Sequence, residues 1–253
     1  MTFGGHLEVL RQMIFRILGV SLTIAIAVFC LKDTTWNLLL APSEWDFVTY
    51  SWMERVLHTI GMTDFHFQEI HIKLITTNLT SQFMLHLSTS LYLGLLIASP
   101  YILYELFHFI SPALFENERR YSVKALIAVY FLFIIGILLS YYVLFPVSFR
   151  FLGTYSISER VESTITLDSY ISTFTTLSLL MGVVFQLPII SFALAKIGII
   201  NSKILSKYRK HAFLIILTIA AIITPGQDIL TLVLVTLPLY LLYEISIWII
   251  KKV

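Results

Sequence analysis

Long apolar runs separated by short polar segments organise the chain. The first run, about Ile14 to Leu31, is close to the 20 or so residues that a helix needs to cross a hydrocarbon core of about 30 Å. Before it, Leu7, Leu10, Ile14 and Ile17 recur at helical spacing, which predicts an amphipathic lead-in over residues 1–16. The run ends in Leu-Lys-Asp-Thr-Thr-Trp, not in a small-x-small cleavage site, and so reads as a retained span. Lys32 to Lys73 is polar and aromatic; Trp36, Trp45 and Trp52 predict short helices at the membrane interface. Residues 74–110 are too many for one straight span. Pro100 divides them into a span over 74–100 and an amphipathic extension to Ile110. A third span is predicted over 125–142, with Phe145-Pro146 as a terminator, and a fourth over 170–195, holding Gln186 and Pro188. The fifth run, 212–223, reaches only roughly 18 Å as a helix. The sixth, 229–250, is long enough and contains Pro238 and Glu244.

Composition places these runs in a membrane. Of the 253 residues, 58% are hydrophobic and 13% charged, and the mean hydropathy is +0.87; a soluble domain carries about 25% charged residues. The fold class is therefore all-α integral membrane protein, one polytopic domain over 1–253 without internal repeats. The net charge of +2 is too small to argue for nucleic acid. The single cysteine, Cys30, reads as a small core residue. His58, His66 and His71, with Glu69, match no metal-site spacing and read as solvated loop residues. No nucleophile elbow, His-Glu-x-x-His pair or phosphate loop is present, so no enzyme, catalytic residue, cofactor or metal is expected. With a cytoplasmic N-terminus, twelve of the 17 Lys and Arg residues fall in cytoplasmic segments, which fixes the expected topology with both termini inside.

That topology puts the segment Phe109–Arg120 in the cytoplasm, beside a head that carries Glu8. Glu116 and Glu118 near Phe109 suit a cationic ligand, best an arginine, whose fork pairs with a carboxylate while its plane stacks on an aromatic ring. The same carboxylates would equally serve in solvated ion pairs with Arg119, Arg120 or Lys124. Gln186, Glu244 and His86 are the polar exceptions within spans, each open to a functional or a packing role.

These residues resemble the TatC family, the receptor subunit of the twin-arginine protein translocase. The resemblance is carried by the run from Ser99-Pro-Tyr to Phe-Glu-Asn-Glu-Arg-Arg120, His6-Leu-Glu-Val-Leu-Arg11, Leu40-Ala-Pro42, Phe145-Pro146, Thr224-Pro225 through Asp228, and Leu237-Pro238 to Tyr243-Glu244. It implies six transmembrane helices in a concave, cup-like bundle, the last two short, in a bacterial cytoplasmic membrane. It also implies binding of twin-arginine signal peptides of folded cargo, TatA-type and TatB-type single-span partners, self-association, and transport driven by the proton-motive force. Carried over by position, the signal-binding residues are Glu118, Phe109, Glu8, Arg119 and Arg11. Pro42, Gln186, Asp228 and Glu244 fall to assembly or transport. The chain departs from the family pattern at Val9, where the head usually has a second glutamate, and at Met13, where it has a second arginine. Gln186 stands for a common glutamate, and the last outer turn is one residue longer.

Two other classes remain. A proton-coupled small-solute transporter would use Glu244, His86 and Gln186, but paired broken helices and repeats are lacking. A structural membrane scaffold would need none of these residues.

Overall fold

The computed structural model describes residues 3–59, 73–110, 119–155, 158, 164–224 and 228–251. Twelve helices are described: α1 (Phe3–Cys30), α2 (Lys32–Leu40), α3 (Val48–Thr59), α4 (Ser81–Ile97), α5 (Ser99–Ile110), α6 (Arg119–Leu139), α7 (Phe145–Thr154), α8 (Leu167–Val184), α9 (Leu187–Lys196), α10 (Ser202–Lys207), α11 (Arg209–Ile223) and α12 (Ile229–Ile250). Two short strands, β1 (Leu74–Ile75) and β2 (Ile165–Thr166), pair in parallel. The fold is that of an all-α integral membrane protein. Among the described residues, four stretches are apolar and long enough to cross a membrane: Leu7–Cys30, Leu126–Thr154, Leu167–Lys196 and Ile229–Ile250. Taken together, α4 and the start of α5 make a fifth, bent by 54°. Helix α11 has 15 residues, roughly 22 Å, and stays short of the hydrocarbon thickness.

The helices group into two compact units. Unit 1 comprises 1–36 and 79–132; unit 2 comprises 37–78 and 133–253.

In unit 1, α1 packs along α4 and against α5. Gly94 permits the approach: a Cβ there would lie 2.6 Å from the Cβ of Ala25 and 2.7 Å from its Cα. His86 stacks on Phe29 with ring centroids 4.2 Å apart and lies near Trp36, so its buried ring is a packing element. The outward side of α1 carries the exposed stripe Phe15, Leu18, Leu22 and Ile26, apolar as a lipid-facing surface should be. Cys30 is exposed at the end of α1 and not in the core; with lipid outside, an apolar small residue has no reason to turn inward. The predicted lead-in and first span form one unbroken helix. The α4–α5 break falls at Ala98, and Pro100 occupies the first turn of α5, where its missing N–H has no helical acceptor to lose. Helix α4 begins at Ser81, because Leu74–Ile75 is held as a strand by Ile165–Thr166.

In unit 2, the core is aromatic where α7 and α8 meet. Tyr170 packs edge to face on Phe145 and Phe149, and Phe174 on Phe145, with Leu177 and Met181 also buried. Pro146 does not end its helix, contrary to the expectation. A π turn over Ser140–Leu144 precedes it, and the chain runs helically to Thr154. A helical proline clashes with the carbonyl four residues back and leaves it without an N–H donor. That carbonyl belongs to Tyr142, and the Thr49 hydroxyl donates to it. From the same helix α3, the Tyr50 hydroxyl donates to the carbonyls of Pro42 and Pro146, at 2.9 and 3.1 Å. The Tyr170 hydroxyl donates to the Leu39 carbonyl at 2.8 Å. These bonds fasten the α2–α3 segment to α7 and α8. Further along, α12 packs against α9, α11 and α10.

Candidate functional site

The candidate ligand-binding residues that are described lie in unit 1. Helix α1 presents Glu8 and Arg11 one turn apart, and Arg11 Nη2 donates to Glu8 Oε1 at 2.6 Å. Gln12 Nε2 donates to the same oxygen at 3.3 Å. All three side chains are exposed, so this is a solvent-screened pair worth about 0.2–1 kcal/mol. Met13 is buried, whereas Val9 is exposed. At the position where the sequence resemblance leads one to expect a second arginine, this chain therefore has a core contact.

On α5, Tyr101, Glu105 and Phe109 recur every four residues and so share one face. Phe109 is partly buried. Glu105 is the carboxylate that the sequence reading passed over. Its side chain is only 9% exposed, it accepts from the Tyr101 hydroxyl at 2.8 Å, and Arg16 Nη1 of α1 lies 3.8 Å away. The available signal was the Tyr101-x3-Glu105-x3-Phe109 spacing in the amphipathic half-helix. It does not say which residue of α1 answers the charge. Arg119 opens α6, and only its backbone is described. Glu116 and Glu118 lie outside the described residues, as do His66, Glu69 and His71.

The four residues expected to serve assembly or transport all lie in unit 2, and the structure does not gather them into one site. Pro42 is buried in a short 3-10 turn over Ala41–Ser43. Gln186 stands at the break between α8 and α9, directly before the first turn that Pro188 occupies; its Nε2 donates to the Gly182 carbonyl at 3.4 Å. Asp228 caps α12, with Oδ1 accepting from the Thr231 N–H at 2.7 Å. Glu244 lies 16 positions later, roughly 24 Å along the axis. Its Oε2 accepts from Arg209 Nη2 at 2.8 Å, and its Oε1 from the Tyr240 hydroxyl at 3.1 Å. Glu244 is thus neutralised by the helix that α12 packs against, which is how a carboxylate is kept near the end of an apolar span.

The family model for the Sec-independent protein translocase protein TatC matches residues 5–238. The chain belongs to the TatC family. A TatC protein of Blattabacterium from Periplaneta americana is 36% identical over 256 residues, covering 98% of this chain and 94% of that protein. A TatC protein of Carboxydothermus hydrogenoformans is 32% identical over 251 residues, covering 99% and 93%. The fold is similar to a crystal structure of the twin arginine translocase receptor TatC, with a TM-score of 0.74 and 31% identity over 98% of both chains. A second structure of that receptor, in DDM, gives a TM-score of 0.75. As a TatC-family chain, the protein is a component of a Sec-independent protein translocase, and its apolar helices place it in a membrane.

Proposed function

We propose that this chain is the signal-peptide receptor of a twin-arginine translocase. The observation that carries the reading is the near full-length likeness to a structure described as the twin arginine translocase receptor. The chemistry on α1 and α5 fits it. An incoming arginine pair would be held by Glu118, with Glu8 as a second anion and Phe109 as a stacking surface. Glu8 is already occupied by Arg11, so binding there is an exchange of one guanidinium for another. Because that pair is exposed, the exchange costs little, and a charge-assisted bond of about 1.5–3 kcal/mol is available to the ligand. Lysine keeps the charge but not the fork, so selectivity for arginine follows from shape. Arg119, adjoining Glu118 in the sequence, would position that carboxylate. TatA-type and TatB-type single-span partners and further copies of the chain would assemble around Pro42, Gln186, Asp228 and Glu244. The proton-motive force would drive transport across a bacterial cytoplasmic membrane, with the N-terminus in the cytoplasm.

The test is complementation of a cell lacking its own TatC, read by export of a twin-arginine reporter. Glu118→Gln should abolish export while the protein is still made and inserted. Wild-type export by that variant would sink the assignment of the binding glutamate. Equal export of Arg-Arg and Lys-Lys signals would sink the receptor reading itself.

A further inference from the structure

Within unit 2, the C-terminal end of α12 forms one wall of a cavity of about 340 Å³ whose other walls are α10 and the start of α11. Three cations line it, Lys203, Arg209 and Lys251, against one carboxylate, Glu244. The carboxylate is already engaged by Arg209 and by Tyr240. Lys203 and Lys251 are exposed and have no ion-pair partner among the described residues. The cavity therefore carries an unmatched charge of +2. Ser202 and Ser206 also line it, and serine hydroxyls are neutral donors of the kind that phosphate oxygens accept from. The Tyr243 hydroxyl donates to the Leu205 carbonyl at 2.8 Å, so α10 is fastened to α12 and the walls are held in place.

Two further features say what an anion there would be attached to. Helix α12 is a membrane-length apolar helix, so its end, and this cavity, lie at the depth of the lipid headgroups. Trp248, an interface-preferring residue, also lines the cavity and is exposed. Below it Ile245, Leu241 and Leu237 are exposed at spacings of three and four, one continuous apolar stripe running from the cavity along the span. A soluble anion would use the charge and leave the stripe idle. A lipid uses both.

We propose that this cavity binds the phosphate headgroup of an anionic glycerophospholipid, with its acyl chains laid along the Leu237–Trp248 stripe. Lys203 and Lys251 provide the charge. Arg209, held by Glu244, forms the back wall. The site requires only that α12 spans the membrane and is independent of which signal the receptor reads.

Native mass spectrometry of the purified full chain in detergent tests it, using phosphatidylglycerol and phosphatidylcholine with matched acyl chains. The wild type should retain phosphatidylglycerol in preference to phosphatidylcholine. Each lysine near a headgroup contributes about fivefold in affinity, so Lys203→Ala with Lys251→Ala should weaken phosphatidylglycerol retention roughly thirtyfold and leave phosphatidylcholine unchanged. The paired Lys→Arg variant should retain the lipid, separating charge from any effect on folding. Undiminished phosphatidylglycerol binding in the alanine variant would overturn the proposal, as would equal binding of the two lipids. Displacement by glycerophosphate or inorganic phosphate at concentrations matching the lipid's would identify a soluble-anion site and overturn it as well.

Discussion

Removing Arg16 should destabilise this protein more than neutralising its partner, although the arginine is the exposed member of the pair. Glu105 is 9% exposed and Arg16 is 61% exposed, with 3.8 Å between the charged atoms. Two unit charges at that separation attract by about 1 kcal/mol in bulk water and by about 4 kcal/mol at an effective dielectric of about 20. Solvent around Arg16 screens the pair, so a net value of about 1–2 kcal/mol is the better figure. Arg16→Met deletes the countercharge and leaves a buried carboxylate held by the Tyr101 hydroxyl, so it should cost the full amount. Glu105→Gln keeps an acceptor for Tyr101 and strands only an arginine that water already solvates, so it should cost less than about 1 kcal/mol. The double variant should therefore be more stable than Arg16→Met alone. The assay is a double-mutant cycle on the purified chain in detergent, followed by thermal unfolding. A difference of 1 kcal/mol corresponds to about 2–4 °C for a chain of roughly this size. Additive single effects, or a larger loss from Glu105→Gln than from Arg16→Met, would refute the reasoning.

Four other substitutions have outcomes that local geometry sets. Gly94→Ala should destabilise by about 1–3 kcal/mol, because its Cβ would meet Ala25 at 2.6 Å. Gly19→Ala, with nothing within 4 Å of the new Cβ, should be neutral or stabilise by up to about 1 kcal/mol; thermal unfolding of the two variants compares them directly. Thr49→Val keeps the shape but strips the donor from the Tyr142 carbonyl that Pro146 orphans, and should cost about 1–3 kcal/mol in the same assay. Tyr50 lies outside the spans, and burial pushes its phenol up to about 12, with Arg150 opposing more weakly. A folded-state value above the unfolded 10 means that its contribution is complete below pH 10 and is lost as the pH rises towards 12. Unfolding measured from about pH 9 to about pH 12 should show a steeper loss in the wild type than in Tyr50→Phe; identical slopes would remove Tyr50 as a cause.

Length and polarity made the architecture legible, because the bilayer turns them into arithmetic. A run of fifteen helical residues cannot span a core of about 30 Å, and α11 is that short. The prolines marked where helices change direction but not how. Pro100 sits in a first turn and tolerates a 54° bend just before it. Pro146 likewise sits in a first turn, yet the helix persists: a π turn leads into it, and the hydroxyl of Thr49, 93 residues earlier, meets the carbonyl it orphans. No local pattern announces a donor that distant. The β1–β2 pairing is two residues long and leaves no alternation to read.

The same distinction explains what was missed near the ligand site. A family resemblance carries residue roles by position, so it singles out Glu8 and Phe109 and assigns no role to Glu105, although Glu105 lies within the Ser99–Arg120 run. Glu105 becomes visible only when α1 is laid on α5 and Arg16 falls opposite it. It also changes what Met13 means. The head of this chain has a buried thioether where the resemblance leads one to expect a second arginine, and it carries an arginine three residues later, aimed at a buried carboxylate. If that displaced arginine does the structural work of the missing one, restoring it without removing its replacement should not help. Met13→Arg alone would bury a guanidinium in a filled core and lower both stability and export. Export at or above wild type in Met13→Arg would show that the two arginines do separate work.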